Sequence, residues 1–78
     1  MYDLYYSETC PYCRKVINYF KENNIAYTPK EINNQEYYNE LLKIGKKTQV
    51  PFLVDTKNEK SMYESEDIIN YVKNNKKA

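Results

Sequence analysis

Apolar positions along this chain change rhythm several times, and each change marks an element. Tyr2 to Tyr6 is a β-prone aromatic run, read as a first strand with Leu4 facing a core. Ser7-Glu8-Thr9 makes a polar turn. From Cys13 onward, Val16, Ile17 and Phe20 recur at three- and four-residue spacing, with Arg14, Lys15, Asn18 and Lys21 opposite them. That is the period of an amphipathic helix, ending near Asn23-Asn24. Pro11 suits its first turn, where a missing N–H costs nothing. Ile25 to Ile32 alternates loosely and predicts a second strand; Pro29 makes it an edge strand or an irregular entry.

Asn33-Asn34 reads as a cap-like turn before a second helix carrying Tyr37, Tyr38, Leu41, Leu42 and Ile44. Gly45, the one glycine of the chain, is expected to close that helix in the left-handed conformation. A basic loop from Gly45 to Thr48 leads to Gln49-Val50-Pro51. Phe52-Leu53-Val54 is a continuous apolar run of the kind a central strand shows. Thr56 to Glu59 makes a turn, and Ser61-Met62-Tyr63 pairs back as the last strand. Ser65 is expected to be the N-cap of a third helix, with Glu66 and Asp67 in its first turn. Ile68, Ile69 and Val72 supply its apolar face. The order is β-α-β-α-β-β-α. Its start implies a parallel pair with a right-handed crossover, and the short turn at Thr56 to Glu59 demands an antiparallel hairpin. The expected fold is α/β, a mixed four-stranded sheet flanked by three helices, with residues 1–78 forming a single domain.

Charge changes this picture little. The net charge is +1 with the signs well mixed, which offers no face to nucleic acid. Lys73, Lys76 and Lys77 suit a helix C-terminus better than a binding patch. There is no basic segment followed by an apolar leader, and no stretch long enough to span a bilayer. The expectation is a cytoplasmic monomer with neither membrane nor nucleic-acid partners.

Chemistry changes it more. The chain has two cysteines, Cys10 and Cys13, placed where the first strand gives way to the first helix. One closely spaced pair reads as redox or metal chemistry in a reducing compartment rather than as a staple. The thiolate is the reactive form, and the N–H groups and dipole of a helix start favour it. Cys10 would sit at that start and Cys13 one turn inside on the same face. The outer sulfur could then attack a disulfide, and the inner one resolve the mixed disulfide. A closed zinc site needs four ligands, and with two cysteines and no histidine the chain supplies too few. No metal site is expected, and an iron–sulfur cluster would require a dimer or borrowed thiols.

These residues resemble the dithiol glutaredoxins. Cys10-Pro11-Tyr12-Cys13 is their motif letter for letter, and the matching pieces run from Tyr2 to Lys73, including Val50-Pro51 before the third strand and the acidic turn Glu64-Ser65-Glu66-Asp67. The resemblance implies a thioredoxin-like fold. It implies a cis peptide between Val50 and Pro51, facing the redox pair and presenting the Val50 backbone to an extended thiol substrate. It also implies a glutathione groove formed by Tyr12, Gln49, Val50, Pro51, Glu64, Ser65 and Glu66. Ser65 and the helix start would receive the γ-glutamyl carboxylate, with Glu64 and Glu66 competing for the ammonium. Glu64-Ser65 further resembles the Glu-Ser pair of glutathione transferases, which share the domain.

The chain departs from the glutaredoxin pattern at three places. Gln49 stands where many members have Thr, Tyr63-Glu64 where many have Gly-Gly, and Ser7, beside Glu8, where many have a Lys that supports the thiolate. The groove should therefore be narrower at Tyr63. Arg14, Lys15, Lys46 and Lys47 are left to compensate for the lost cation or to bind the glycine carboxylate of glutathione.

The function implied is glutathione-dependent thiol–disulfide oxidoreduction of protein disulfides and glutathionylated proteins, Cys10 attacking and Cys13 resolving. Glutathione is the reducing co-substrate, and no permanently bound cofactor is expected. The alternatives are a small redoxin reduced by a flavin-dependent thioredoxin reductase and a dimeric cluster-binding glutaredoxin. A third alternative, a glutathione-binding module of a transferase, is disfavoured by Cys13, which such modules lack.

Overall fold

A computed structural model describes residues 2–75. The elements follow in the expected order: β1 (Tyr2–Tyr6), α1 (Pro11–Glu22), β2 (Thr28–Glu31), α2 (Gln35–Gly45), β3 (Phe52–Asp55), β4 (Lys60–Met62) and α3 (Ser65–Asn75). β1 pairs parallel with β2 and antiparallel with β3, and β3 pairs antiparallel with β4. The sheet order is β2-β1-β3-β4, so Pro29 lies on an edge strand as its missing donor requires. Lys73 stands in the last turn of α3, whereas Lys76 and Lys77 lie outside the described residues. Among the described residues, no helix is long and apolar enough to cross a membrane.

Strand alternation divides the core into two layers. Leu4 faces Leu53 across the β1–β3 pair, and both join Val16 and Phe20 of α1 and Ile68 and Val72 of α3 in one buried cluster. The neighbouring residues, Tyr5 and Phe52, point the other way and meet Leu41 of α2. This second layer has less apolar material, and a polar cluster supplements it. Tyr5 Oη donates to Glu40 Oε1 at 2.7 Å, and Lys30 Nζ donates to the same oxygen at 2.9 Å. Lys30 also sits 3.5 Å from Asp3 and over the rings of Tyr5 and Tyr37. Burial, with help from the Glu40 bond, pushes the Tyr5 phenol up to about 12, so it stays a donor.

Three local expectations need correction. β2 begins at Thr28, not Ile25, because the end of α1 takes the residues before it. Asn24 adopts φ 54°, its N–H bonds Lys21 O, and Ile25 N–H bonds Phe20 O at 2.8 Å. That is the hydrogen-bond pattern of a Schellman motif, which consumes Ile25 as its hydrophobic closing residue. Second, the left-handed residue after α2 is Lys46, with φ 62°, while Gly45 is the last helical residue. Gly45 is needed for space: a Cβ there would lie 1.9 Å from Tyr63 Oη. Third, α3 begins with Ser65 itself, and Ile68 N–H bonds Glu64 O at 2.8 Å, which makes Glu64 the capping residue. β4 correspondingly spans Lys60–Met62, and Tyr63 leaves the ladder to lie tilted against Phe52 with centroids 4.5 Å apart.

Asp55 ties the β3–β4 turn to α3. It is 2% exposed and accepts from Lys57 N, Asn58 N and Asn58 Nδ2, and from Tyr71 Oη at 2.6 Å. Burial alone would raise its pKa, but the bonds from Tyr71, Asn58 and Lys57 outweigh burial and hold it below the usual carboxylate value. A depressed carboxyl contributes stability above its ordinary value of 3.8 and loses it as the pH falls through the folded value. Tyr71→Phe should therefore cost about 1.5–3 kcal/mol near neutrality, the range for a hydrogen bond to a charged group. The gap from wild type should shrink on acidification to about pH 3. Urea unfolding at both pH values checks this, and a gap independent of pH would mean that the Asp55 charge is not what Tyr71 serves.

Gly45 and Tyr63 form a second testable pair. Gly45→Ala in the wild-type background should cost about 1–3 kcal/mol through forced displacement of the Tyr63 ring. In a Tyr63→Ala background the same change should gain roughly 0.5–1 kcal/mol, the ordinary preference for alanine in a helix. A double-mutant cycle reads the coupling directly. Additive values would dismiss the steric account.

Candidate functional site

The first N–H groups of a helix have no partner within it, and here a sulfur answers one of them. Cys10 is the N-cap of α1, with φ −91° and ψ 115°. Its Sγ accepts from Cys13 N–H at 3.4 Å, the role an Asp or Ser oxygen more often plays. Its carbonyl accepts from Arg14 N at 3.1 Å, and its own N–H donates to Ser7 O at 3.1 Å. Pro11 follows at the first helical position and has no N–H to satisfy. Cys10 Sγ also lies 3.8 Å from Val50 O, to which the thiol donates when protonated.

Both cysteines are free, Cys10 partly exposed and Cys13 fully buried one turn inside α1. Burial pushes the Cys13 thiol up to about 12, with the neighbouring Cys10 adding to the rise and a backbone bond from Ser7 opposing it. The inner sulfur is thus held as a thiol while the outer one is in contact with an N–H donor. Where an upstream cation was missing from the sequence, Ser7 Oγ instead bonds Thr9 Oγ1 at 3.1 Å. Of the candidate compensating cations, Arg14 donates to Glu8 O at 3.3 Å, Lys15 pairs with Glu66, and Lys47 lies over the Tyr63 ring. The exposed Lys46 closes α2. At Cys10 itself, the helix start supplies the Cys13 N–H as a donor to Sγ.

The structure brings Tyr12, Gln49, Val50, Pro51, Glu64, Ser65 and Glu66 together around one groove of about 510 Å³. One wall is the loop before β3, where the Val50–Pro51 peptide is cis. The other is the start of α3, with Ser65 8% exposed. Gln49 Nε2 donates to Glu64 Oε1 at 3.3 Å, joining the two walls. Tyr12 stands on the rim, 65% exposed. The starts of α1 and α3 thus border one space, so two sets of helix N–H groups and two positive dipole ends favour an anionic ligand there.

Two lining residues fell outside the predicted groove set: Lys15 and Tyr63. The sequence offers Lys15 only as one of four cations, with Arg14, Lys46 and Lys47, that could support the thiolate or bind the glycine carboxylate of glutathione. Its pairing with Glu66 requires knowing that α1 and α3 are neighbours. Tyr63 was noticed as bulk at a position where glycine is common. Its ring is accommodated partly by the absent side chain of Gly45, and its hydroxyl is buried with no hydrogen-bond partner among the described residues. Among the described residues there is no cluster of three or more His, Cys, Asp or Glu side chains able to hold a metal ion.

The model of the glutathione S-transferase N-terminal domain matches residues 4–78. No curated protein matches the chain. Among solved structures, glutathione transferase Omega 3C from Trametes versicolor superposes with a TM-score of 0.80 at 29% identity, over 94% of this chain and 30% of that one. The trimeric glutathione transferase TDR1 of Leishmania gives 0.76 at 28% identity, over 96% of this chain and 18% of that one. This chain therefore spans about a third or less of those transferases. A glutaredoxin from Archaeoglobus fulgidus gives 0.73 at 18% identity, over 91% of this chain and 84% of that one, which establishes a shared fold. The transferase alternative, set aside in the sequence because of Cys13, is the one that the family match favours. The chain has a thioredoxin-like fold and belongs to the glutathione S-transferase N-terminal domain family.

Proposed function

We propose that this domain is a dithiol, glutaredoxin-type oxidoreductase that uses glutathione to reduce protein disulfides and protein–glutathione mixed disulfides. The observation that carries the reading is the Cys10–Cys13 arrangement: an accessible sulfur capping α1, with a buried thiol one turn behind it. The Cys10 thiolate attacks one sulfur of the substrate disulfide. A bond forms between Cys10 and that sulfur, and the other sulfur leaves as a thiolate that takes up a proton. Cys13, once deprotonated, attacks Cys10 Sγ, releases the second substrate thiol and leaves a Cys10–Cys13 disulfide. One glutathione thiolate opens that disulfide at Cys10, and a second attacks the resulting mixed disulfide at the glutathione sulfur. The sum is oxidation of two glutathiones to their disulfide and reduction of one substrate disulfide to two thiols.

Glutathione would lie along the groove with its cysteine pairing to the Val50 backbone and its γ-glutamyl carboxylate at the start of α3, near Ser65. Glu64 and Glu66 are within the same wall for its ammonium. The same reading has the domain acting as a monomer in the reducing cytoplasm, with disulfide-bearing or glutathionylated proteins as partners. The family match favours a second reading, in which the groove binds glutathione for transferase chemistry and Cys13 is a packing residue. Conjugation of glutathione to an electrophile, unaffected by Cys13→Ser, would favour that second reading.

Cys10→Ser should abolish turnover of both substrate classes. Cys13→Ser should keep the removal of glutathione from mixed disulfides, which needs one thiol, and lose reduction of protein disulfides. A Cys13→Ser protein dead toward glutathionylated peptide would reverse the assignment of attacker and resolver. The raised Cys13 thiol gives a further test. Its thiolate fraction, and so the resolution rate, should climb about tenfold per pH unit below its pKa, provided deprotonation limits the step. Quenched-flow mass spectrometry of the Cys10 mixed disulfide at several pH values reads this rate, and a flat profile would contradict it.

A further inference from the structure

Two flanks of α1 differ in what they face. Lys15, Tyr19 and Glu22 border a hollow shared with Glu66 and Ile69 of α3. Arg14, Ile17 and Lys21 instead border a hollow of about 580 Å³ whose other side is Tyr6, Ser7 and Thr9, at and beyond the end of β1. A further hollow of about 590 Å³ shares Thr9, Arg14 and Asn18 with it and adds Pro11, so the depression reaches both chain neighbours of Cys10. Arg14 and Lys21 are exposed, and neither meets a carboxylate in an ion pair among the described residues. Arg14 bonds the backbone carbonyl of Glu8, whose carboxylate is the one negative group of the lining among the described residues. The helix dipole accounts for Lys21, in the last turn of α1, but not for Arg14, a cation near its positive end.

We infer that this depression receives the polypeptide half of a disulfide substrate and favours segments with acidic side chains near the reacting cysteine. The inference rests on the oxidoreductase reading above. In that reading glutathione fills the groove beside α3, so the chain that carries the other sulfur has to run over a different surface. The flank that begins at Thr9 and Pro11 adjoins Cys10 and has no part in the groove. Arg14 lies one turn from Cys10 and Lys21 about three, or about 6 and 16 Å at about 1.5 Å per residue. An extended chain rising about 3.3 Å per residue covers those distances in about two and five residues. Carboxylates at those positions meet the two cations, while a basic segment meets their repulsion. The contacts are solvent-exposed, so salt weakens them.

Removal of glutathione from three glutathionylated peptides tests it. Each carries one cysteine, and they differ only in having Glu, Gln or Lys at the second and fifth positions to either side of it. Every kcat/KM is divided by that for bis(2-hydroxyethyl) disulfide, which has no side chains to reach either cation. The wild-type ratio should be about tenfold higher for the Glu peptide than for the Gln peptide, the scale of two exposed charge pairs, and lowest for the Lys peptide. Added salt should compress the series. Lys21→Gln should narrow it, and Lys21→Glu should lower the Glu peptide and raise the Lys peptide severalfold each. A role for Lys21 at the helix end alone predicts no dependence on the charge of the peptide. Equal ratios in the wild type, or a series that survives Lys21→Glu, would overturn the inference. Survival there with loss in K46E/K47E would overturn it by moving the peptide to the α2 side. A wild-type protein that turns over neither the peptides nor the small disulfide would sink the oxidoreductase reading, and this inference with it.

Discussion

The unsatisfied N–H groups at the start of α1 are the constraint from which the site follows. A helix start needs acceptors, and Pro11 removes one of the donors simply by lacking a hydrogen. The Cys10 sulfur takes the N–H of Cys13, and the Cys10 carbonyl takes that of Arg14. The contacts that finish the helix therefore also hold the Cys10 sulfur at the end of the sheet, 3.8 Å from Val50 O. Cys13 contributes its backbone to the cap and its side chain to the interior. Helix initiation and placement of the two sulfurs are one event, so no separate device is required to aim them at each other.

The asymmetry of the two layers explains why the groove lies where it does. On the α1–α3 side, large apolar side chains bring the two helices together over Leu4 and Leu53. Packing them against one sheet face lets their starts border the same space, closed on its far side by the cis Val50–Pro51 loop. The α2 side has three fully buried apolar residues and relies on Lys30, Glu40, Asp3 and Tyr5 for much of its anchoring. Its influence on the groove is indirect but specific: by ending α2 without a side chain, Gly45 admits the Tyr63 ring against Phe52.

Elements whose causes are local were legible in the sequence. β1, the Thr56 to Glu59 turn, the Asn34 cap of α2 and the placement of the cysteine pair at a helix start all rest on neighbours within a few residues. The predicted groove residues do come together, because the motif and the acidic turn each mark a chain segment that the fold must bring to the sheet end. What escaped was set by distance. The Schellman bonds at Asn24 and Ile25 compete with strand pairing, and periodicity is blind to that contest. The purpose of Gly45 depends on Tyr63, and the meaning of Lys15 on Glu66, partners from other elements. A lone glycine near a helix end reads as a left-handed cap when its own neighbours are all that is known.

Cys13 is the residue on which the family and the chemistry pull in different directions. As a packing residue it is unremarkable, since a free thiol in a core behaves as a small hydrophobe. The same burial nevertheless has a chemical effect, raising its pKa and holding it neutral beside Cys10. A second thiolate there would repel the first and expend its nucleophilicity on nothing. Once Cys10 is bonded to a substrate sulfur, its negative charge is gone and the penalty it imposed on ionising Cys13 goes with it. In the proposed reaction, Cys13 as the resolving thiol is then easier to deprotonate at the moment its attack has a target. A position that the fold treats as ordinary core acquires timing from its distance of one helical turn to the capping sulfur.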